Sequence, residues 1–350
     1  MSLLQSSRTK PGFLESNSTR SEGTRKLKLI AITNFDKFCM DLFNIPSSEP
    51  LIEEMIDAPN TQGTFDVLQK WIAWNAKRIA PQTILIYWVN LNDYLFYRGV
   101  KLDLRDIRHN LKFPKPLKES KHVLKLEEIQ NICSVIKYNK KAMNLVLVST
   151  GMRIGEALQI RKKHLNFDFD RVMICIPAEF TKTREARKTF MSYEAYNANK
   201  NIIDEKLPDD LIWGTNENTL YNVGHESQNF ARYCKKAGYV ERYSSGRRKI
   251  TLHSFRSYFI SRFSIKGEAL GHAFSGHTGN MKQYDRFTDE ELCEKYIEIE
   301  PELLVFDLVR KDNEIKRLKE TNEEVEFLKE QLEGMKELLS MKVKGDKTND

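Results

Sequence analysis

The sequence lacks the features of disulfide-stabilised, zinc-binding and membrane-spanning proteins. Its five cysteines are dispersed over 350 residues without a Cys-x-x-Cys pair, which argues against a structural zinc site or a disulfide scaffold and fits a reducing cytosol. The most apolar stretch, Met143–Val148, is far shorter than the roughly 18 residues of a membrane helix. No apolar segment of signal-peptide type begins the sequence. We therefore expect a cytoplasmic protein without a membrane partner.

Two common kinds of phosphate chemistry also lack their motifs here. The sequence contains no glycine-rich P-loop string that would cradle a nucleotide. It also contains no cluster of Asp and Glu of the kind that holds two metal ions. We therefore predict no cofactor and no metal site.

The sequence contains enough apolar residues for packed cores, and it has more basic than acidic residues. Hydrophobic residues make up 40 % of the sequence, which excludes wholesale disorder. Lys and Arg number 56 against 49 Asp and Glu, giving a net charge of +7. The tail beyond residue 308 is nearly neutral, so the excess lies in the body of the chain. Such an excess is typical of proteins that bind a polyanion, but also of many other soluble proteins.

The N-terminal third divides into three predicted segments. Residues 1–24 are rich in Ser, Thr and Gly, which predicts a disordered arm. Apolar residues at helical spacing over 25–112 predict a small all-helical domain, with one helix that begins at Pro81 and ends at Gly99. The Pro- and Lys-rich stretch 113–120 predicts a linker to a second domain.

Residues 121–308 predict a larger domain that is mostly α with a small β-sheet (α+β). Arg171–Ile176 alternates with β-branched residues, and a polar turn between 180–182 and 189–191 indicates a hairpin. The tail 309–350 has apolar residues at helical spacing among Glu and Lys. It predicts a long C-terminal helix that either forms a coiled coil or folds back on its own domain.

Two short strings could bind phosphate, although each has an ordinary structural interpretation. In His253-Ser-Phe-Arg256, positions i and i+3 share a helix face and could point at one phosphate, but a surface helix with these residues is common. Arg153 follows a glycine break and is predicted in the first turn of a helix, where the N–H groups and the helix dipole favour an anion. It could equally pair with Glu156 at i+3.

Two further residues carry chemistry only in context. Lys182 lies at the predicted hairpin turn, where it either enters a DNA groove or is a solvated turn lysine. Tyr284 follows Gly276-His277 by seven residues. A phenol has a pKa of about 10, so a tyrosine nucleophile needs a cationic environment. One tyrosine among 13 indicates nothing by itself.

Residues 241–262 hold the strongest basic cluster, with six Lys and Arg against the single acid Glu241. Aromatic residues interleave with these cations. This composition favours nucleic-acid binding over a solvated face, which would more often mix charges of both signs. We predict DNA contacts from four members of this cluster and from one arginine of the hairpin: Arg242, Arg247, Arg248, Lys249 and Arg187.

The order Arg, hairpin Lys, His-x-x-Arg, Gly-His and Tyr over residues 153–284 resembles the tyrosine recombinase (phage integrase) family. Local strings are similar too, including Thr-Gly-Met-Arg-Ile-Gly-Glu-Ala-Leu over 150–158 and His-Ser-Phe-Arg over 253–256. The resemblance covers 117–308 well. The stretch Gly276–Arg286 resembles an archaeal-type branch of integrases.

The resemblance implies a fold of two DNA-binding parts and a role for each motif. Residues 25–112 would be the helical core-binding (SAM-like) domain, and 121–308 the catalytic domain. Tyr284 would attack a DNA phosphodiester to form a 3′-phosphotyrosyl bond, while two arginines hold the non-bridging oxygens. A lysine would protonate the leaving 5′ oxygen, and histidines would serve in acid–base support and in hydrogen bonding to the phosphate. The implied catalytic residues are Arg153, Lys182, His253, Arg256, His277 and Tyr284.

Several alternatives stay open on the sequence. His272, in Leu-Gly-His, could fill the role assigned to His277. The expected function is metal- and ATP-independent site-specific recombination of double-stranded DNA by a nucleoid-associated homo-tetramer. It would serve either the integration and excision of a mobile element or the resolution of DNA multimers. A type IB topoisomerase-like enzyme and a non-catalytic DNA-binding relative are the rival functions, and cleavage in cis or in trans is open.

Overall fold

The chain folds into two compact units in the computed structural model. The first contains the chain up to Lys121 together with Arg242–Arg248, and the second contains His122–Glu241 and the chain from Lys249 onward. Among the residues described, no helix is both long and apolar enough to cross a membrane. The described residues are 8–265, 274, 276, 287–306 and 329.

The first unit is built from helices that begin and end at recognisable caps. Its described helices are α1 Lys10–Ser16, α2 Glu22–Phe43, α3 Glu49–Asp57, α4 Gln62–Ala76, α5 Pro81–Arg98 and α6 Leu104–Asn110. The hydroxyls of Ser21 and Thr61 cap α2 and α4, each by accepting a hydrogen bond from the backbone N–H of the third residue of its helix. Helix α5 has the predicted bounds, because Pro81 stands at its first position and Gly99 ends it at a φ of +113°.

The core of this unit lies between α2, α4 and α5. Phe35, Trp71 and Leu91 are fully buried there. The indole N–H of Trp71 donates to the side-chain oxygen of Asn34 at 2.9 Å, and the side-chain amide of the buried Asn75 donates to the same oxygen at 3.1 Å. The polar groups inside this core are therefore paired with one another.

Helix α1 contradicts the prediction of a disordered arm over 1–24 for the part of that arm that is described. Phe13 is 2 % exposed, and its ring lies 5.1 Å from the ring of Tyr94. Lys10 forms a 2.9 Å ion pair with Asp36. The composition is that of a polar arm, but one aromatic anchor and one ion pair order the segment.

The second unit combines helices with a three-stranded sheet. Its elements are α7 Leu126–Ser134, α8 Tyr138–Thr150, α9 Ile154–Ala157, β1 Leu165–Asn166, β2 Met173–Ile176, β3 Arg187–Phe190, α10 Tyr193–Asp204, α11 Thr219–Lys236, α12 Leu252–Ser264 and α13 Asp289–Ile299, with 3₁₀ turns at Lys162–His164, Ala178–Phe180 and Glu300–Glu302. The sheet is antiparallel in the order β1-β2-β3, and Ile176 pairs with Arg187 where the hairpin opens. The predicted α+β fold, mostly helical with a small sheet, is confirmed.

Helices α8 and α12 pack so closely that their contact requires a glycine. Helix α8 ends at Gly151, which has a φ of +61°. A Cβ atom at Gly151 would lie 2.3 Å from Cδ1 of Phe259 on α12. The left-handed conformation and the close ring therefore both exclude a side chain here. This break directs the chain into the next segment, which carries Arg153.

Helix α13 joins the end of the described chain to the core of the second unit. The Tyr296 hydroxyl donates to the backbone oxygen of Ser149 at 2.8 Å. Directly after the helix, the buried Glu300 forms a 2.7 Å ion pair with Arg171. The predicted helical tail, 309–350, lies outside the described residues apart from one position.

Candidate active site

Arg153 stands at the glycine break that follows α8. It is the N-cap residue of α9, and its side chain is 26 % exposed. Its backbone N–H donates to one oxygen of Glu156 at 2.7 Å, and its guanidinium donates to the other oxygen at 2.7 Å. The i+3 pairing that the sequence left open is therefore present.

The expected anion site in the first turn of a helix is not what the structure shows. Helix α9 has four residues, and the carboxylate of Glu156 already accepts the N–H of Arg153 at its N-terminus. A helix this short adds little dipole. Any anion at this place would be bound by arginine side chains.

Glu156 lies between the side chains of Arg153 and Arg187. Its side chain is 1 % exposed, and it contacts Arg153 on one side and Arg187 on the other. The Arg187 guanidinium donates to a Glu156 oxygen at 2.5 Å. A buried carboxylate is stable here because two cations and a backbone N–H neutralise it.

Arg256 completes the group that we call the arginine cluster: Arg153, Glu156, Arg187 and Arg256. It is 1 % exposed on α12, and it donates to the backbone oxygen of Gly151 at 2.6 Å. Burial lowers the pKa of Arg256 to about 9, and repulsion from Arg153 and Arg187 contributes to that shift, while Glu156 opposes it. The cluster thus holds three guanidinium groups against one carboxylate, and it favours a bound anion.

Two of the predicted catalytic side chains, His253 and Lys182, are exposed. His253 lies one turn before Arg256 on α12, at the i and i+3 spacing that the sequence predicted. Lys182 is exposed in the connection between β2 and β3. This connection is closed by the buried hydroxyl of Thr181, which accepts the N–H of Glu185 at 3.1 Å.

The remaining predicted catalytic residues, His277 and Tyr284, lie outside the described residues, as does the alternative His272. Two positions just before His277 are described. The backbone oxygen of Phe274 accepts a 2.9 Å hydrogen bond from Arg187. A Cβ atom at Gly276 would lie 2.5 Å from Cδ of Arg187. The backbone at 274 and 276 therefore contacts the arginine cluster.

Two of the six cations in the basic cluster are engaged by contacts within the second unit. Arg256 is buried, and the guanidinium of Arg262 stacks on Tyr258 with 4.9 Å to the ring centre. The other four cations belong to one turn. Within it, Arg242 pairs across to Arg248 and donates to the backbone oxygen of Gly246 at 2.6 Å. The members of this basic turn are Arg242, Arg247, Arg248 and Lys249.

Arg187, which the sequence analysis predicts to contact DNA, is largely buried in the structure. The side chain is 7 % exposed, and both of its terminal nitrogens donate to groups of its own unit. Sequence spacing could not show this, because Glu156 and Phe274 are distant in the chain. The Arg-x-x-Glu spacing at residues 153–156 indicates the contact of Arg153 with Glu156, but no spacing indicates that Arg187 joins it.

The described residues contain no group of three or more His, Cys, Asp and Glu side chains placed to hold a metal ion. The chemistry available in the arginine cluster is that of fixed cations. Such cations stabilise a phosphate whose non-bridging oxygens gain negative charge in the transition state.

Comparison with known proteins identifies the second unit. Residues 122–285 match the phage integrase family. The chain carries a phage integrase (tyrosine recombinase) family domain. The predicted function, site-specific DNA recombination by a tyrosine recombinase, is thereby confirmed at the level of the family.

Several solved structures to which this chain is similar are of integrases and recombinases. A lambda integrase(75–356) dimer bound to a COC′ core site has a TM-score of 0.56 at 12 % identity, over 80 % of this chain and 97 % of that one. XerH site-specific recombinase bound to difH has a TM-score of 0.45 at 17 % identity, over 67 % and 70 %. The Tn1549 transposon integrase with circular intermediate DNA has a TM-score of 0.46 at 15 % identity, over 77 % and 99 %. The lambda integrase match supports the fold. No curated protein matches the chain.

Proposed function

We propose that this recombinase cleaves DNA with Tyr284 and that Arg153, Lys182, His253, Arg256 and His277 complete its active site. The observation that carries the proposal is the arginine cluster. Arg153 follows the glycine break of α8, and Arg256 donates to the backbone oxygen of Gly151 in that same break. Two guanidinium groups are thus supported by one turn of backbone, inside the family domain.

The reaction conserves the energy of the phosphodiester. The Tyr284 hydroxyl loses its proton, with His253 in acid–base support, and its oxygen attacks the phosphorus. The bond from phosphorus to the 5′ oxygen breaks, and Lys182 protonates that oxygen. The products are a 3′-phosphotyrosyl bond and a free 5′-hydroxyl. A 5′-hydroxyl from a second strand reverses these steps, so rejoining needs no nucleotide.

The electrostatics of Arg256 fit this chemistry. Burial, together with repulsion from Arg153 and Arg187, disfavours the charged form of the Arg256 guanidinium. A phosphate between Arg153 and Arg256 would offset that repulsion. The gain is largest for the five-coordinate transition state, whose non-bridging oxygens carry the most negative charge.

Two tyrosines of the second unit, Tyr296 and Tyr258, are poor nucleophiles. Burial raises the pKa of Tyr296 well above its usual value, and its hydroxyl is bound to a backbone oxygen. The Tyr258 hydroxyl also donates to a backbone oxygen, that of Glu302, at 3.1 Å. Tyr284 has the position that the family resemblance assigns to the nucleophile.

The partner is double-stranded DNA, which we propose is clasped by the first unit and contacted by the basic turn. Assembly as a tetramer on two sites, and membership of the archaeal-type branch suggested by the Gly276–Arg286 string, are further parts of the proposal. The biological role is the integration and excision of a mobile element or the resolution of multimers.

The test is a covalent adduct with a nicked suicide substrate. We expect wild-type protein to form the adduct in EDTA, and Tyr284→Phe to bind DNA with unchanged affinity and form none. Tyr221→Phe, which alters an exposed tyrosine on α11, is the matched control and should behave as wild type. Adduct formation by Tyr284→Phe would refute the assignment. Relaxation of supercoiled DNA without exchange between two sites would favour the topoisomerase alternative.

A further inference from the structure

We propose that Arg187 is a positioning residue of the recombinase site. It holds Glu156, and through it Arg153, against the backbone at residues 274 and 276. The inference rests on the proposed function, because it concerns the rate of the same DNA cleavage. It assigns Arg187 no contact with DNA.

The two terminal nitrogens of Arg187 point at groups of its own unit, and its Nε is buried without a hydrogen-bond partner among the described residues. One terminal nitrogen donates to Glu156 at 2.5 Å, and the other donates to the backbone oxygen of Phe274 at 2.9 Å. The side chain is 7 % exposed. Arg187 therefore acts on the reaction through the groups that it binds.

The first effect of Arg187 is on the net charge of the group that contains Arg153. Glu156 bonds Arg153 through one oxygen and Arg187 through the other. With Arg187 present, these three side chains carry a net charge of +1. Without it, Arg153 and Glu156 would neutralise each other, and the carboxylate would compete with the DNA phosphate for the Arg153 guanidinium. Arg187 thus keeps Arg153 available to an anion.

Its second effect is on the backbone before His277. Gly276 has a φ of +64°, and a Cβ atom there would lie 2.5 Å from Cδ and 2.9 Å from Nε of Arg187. Only a glycine lets the arginine side chain pass at this distance. Arg187 therefore ties the backbone at 274 and 276 to the carboxylate that orients Arg153.

The strand itself supplies a matched control. Successive side chains of β3 point to opposite faces, and Lys188 follows Arg187 with the same charge. Lys188 is 44 % exposed and pairs with Asp289 at 2.7 Å. Lys188→Met removes a cation from the same strand without touching Glu156.

The experiment measures the rate of adduct formation and the DNA affinity for wild type, Arg187→Met, Arg187→Lys and Lys188→Met, with thermal unfolding of each. We expect Arg187→Met to lower the adduct rate by about 10- to 100-fold, which is the range for groups that orient a residue in direct contact with the bound ligand. Its DNA affinity should stay within about threefold. Lys188→Met should match wild type. The adduct rate of Arg187→Lys should lie between those of wild type and Arg187→Met. An ammonium can donate to Glu156 but cannot also reach Phe274 as the planar guanidinium does.

A double-mutant cycle with Glu156→Gln separates positioning from a general structural role. If Arg187 acts through Glu156, the double variant Arg187→Met/Glu156→Gln should be slowed by much less than the product of the two single effects. Additive effects would overturn the inference. So would a wild-type adduct rate in Arg187→Met, a wild-type rate in Arg187→Lys, or a loss of affinity as large as the loss of rate.

Failure of the proposed function looks different. In that case wild-type protein itself forms no adduct, or Tyr284→Phe forms one. A normal wild-type adduct together with a normal Arg187→Met adduct refutes only the role of Arg187. If Arg187→Met unfolds at the assay temperature, Arg187→Lys and the Glu156→Gln cycle built on it decide the question.

Discussion

Each unit of the protein buries an arginine, and the two arginines differ in how their charge is balanced. In the first unit Arg98 is 8 % exposed and contacts Glu49, Glu53 and the Tyr94 hydroxyl. Burial acts to lower the pKa of Arg98, but hydrogen bonds with Tyr94 and Glu49 raise it above its usual value. In the second unit, burial and neighbouring arginines lower the pKa of Arg256 to about 9.

Under the proposed function, the comparison separates a structural cation, Arg98, from Arg256, which would bind an anion. Arg98 has its counter-charge within the fold, because two carboxylates contact it. Arg256 is surrounded by a local excess of positive charge, since Arg153 and Arg187 outnumber Glu156. A fold tolerates such an excess where a bound anion repays its cost.

The largest effect should come from Arg256→Met. The adduct rate should fall by about 100- to 1000-fold, because a donor to the transition-state oxyanion is lost. The free energy of unfolding should stay near that of wild type, since the variant also removes a repelled buried charge. Suicide-substrate kinetics and urea unfolding measure the two quantities. Arg262→Met, on the same helix, is the control, and a fall in stability without a fall in rate would contradict the comparison.

The next effect concerns the glycines that end a helix in each unit. Gly151 and Gly99 both have positive φ, so either alanine variant should lose about 1–2 kcal/mol to strain. At Gly151 the new Cβ would also lie 2.3 Å from the Phe259 ring, whereas the nearest atom at Gly99 is 3.6 Å away. Gly151→Ala should therefore lose about 1–3 kcal/mol more. Urea unfolding of both variants checks the order, and equal losses would show that the α8–α12 contact is looser than described.

Arg98→Met should show the opposite pattern to Arg256→Met. The free energy of unfolding should fall by about 1–3 kcal/mol, because the Tyr94 hydroxyl loses its buried partner while Glu49, 41 % exposed, is partly hydrated. The adduct rate per folded molecule should not change. The measurement is urea unfolding beside the same kinetic assay. A rate loss at full folding would mean that Arg98 also serves the reaction.

The smallest effect is a pH dependence. The pKa of Arg256 is lowered on folding, so above about pH 9 the unfolded chain holds a proton that the folded chain has released. The free energy of unfolding contributed by this group therefore rises with pH above that point and is flat below it. The difference in the free energy of unfolding between wild type and Arg256→Met should show this rise between about pH 8 and 10. Arg153, Arg187 and Glu156 face this group, so Glu156→Gln should shift the rise to lower pH. A flat difference would contradict the lowered pKa.

Much of the fold follows from local sequence. Helix α5 has its predicted bounds because a proline at its first position and a left-handed glycine at its end act within a few residues. The predicted strand Arg171–Ile176 contains β2, and the polar stretch after it forms the hairpin connection. Helix α1 was missed because one buried side chain, Phe13, outweighs the polar composition around it.

The site was less accessible to sequence reasoning, because its decisive contacts are between distant residues. The motifs supplied Arg153 and Arg256, but nothing in the spacing indicates that Arg187 lies against Glu156 and the backbone of Phe274. The burial of Arg187 is the basis of our proposal that it positions Glu156. The placement of His277 and Tyr284 stays a prediction.

The contact of Tyr296 with the end of α8 also determines the order in which the two units fold during synthesis. The first unit's main hydrophobic cluster ends at Leu111 in the chain, whereas the aromatic cluster beneath Gly151 needs Phe259, Tyr296 and Leu303. Domains form as units while the ribosome synthesises about 5–20 residues per second, so tens of seconds separate the two events. A nascent chain can thus hold a folded first unit well before Arg153 and Arg256 are brought together. Chains that terminate before Tyr296 would lack this aromatic cluster, and the proposed cleavage site would stay unassembled in them.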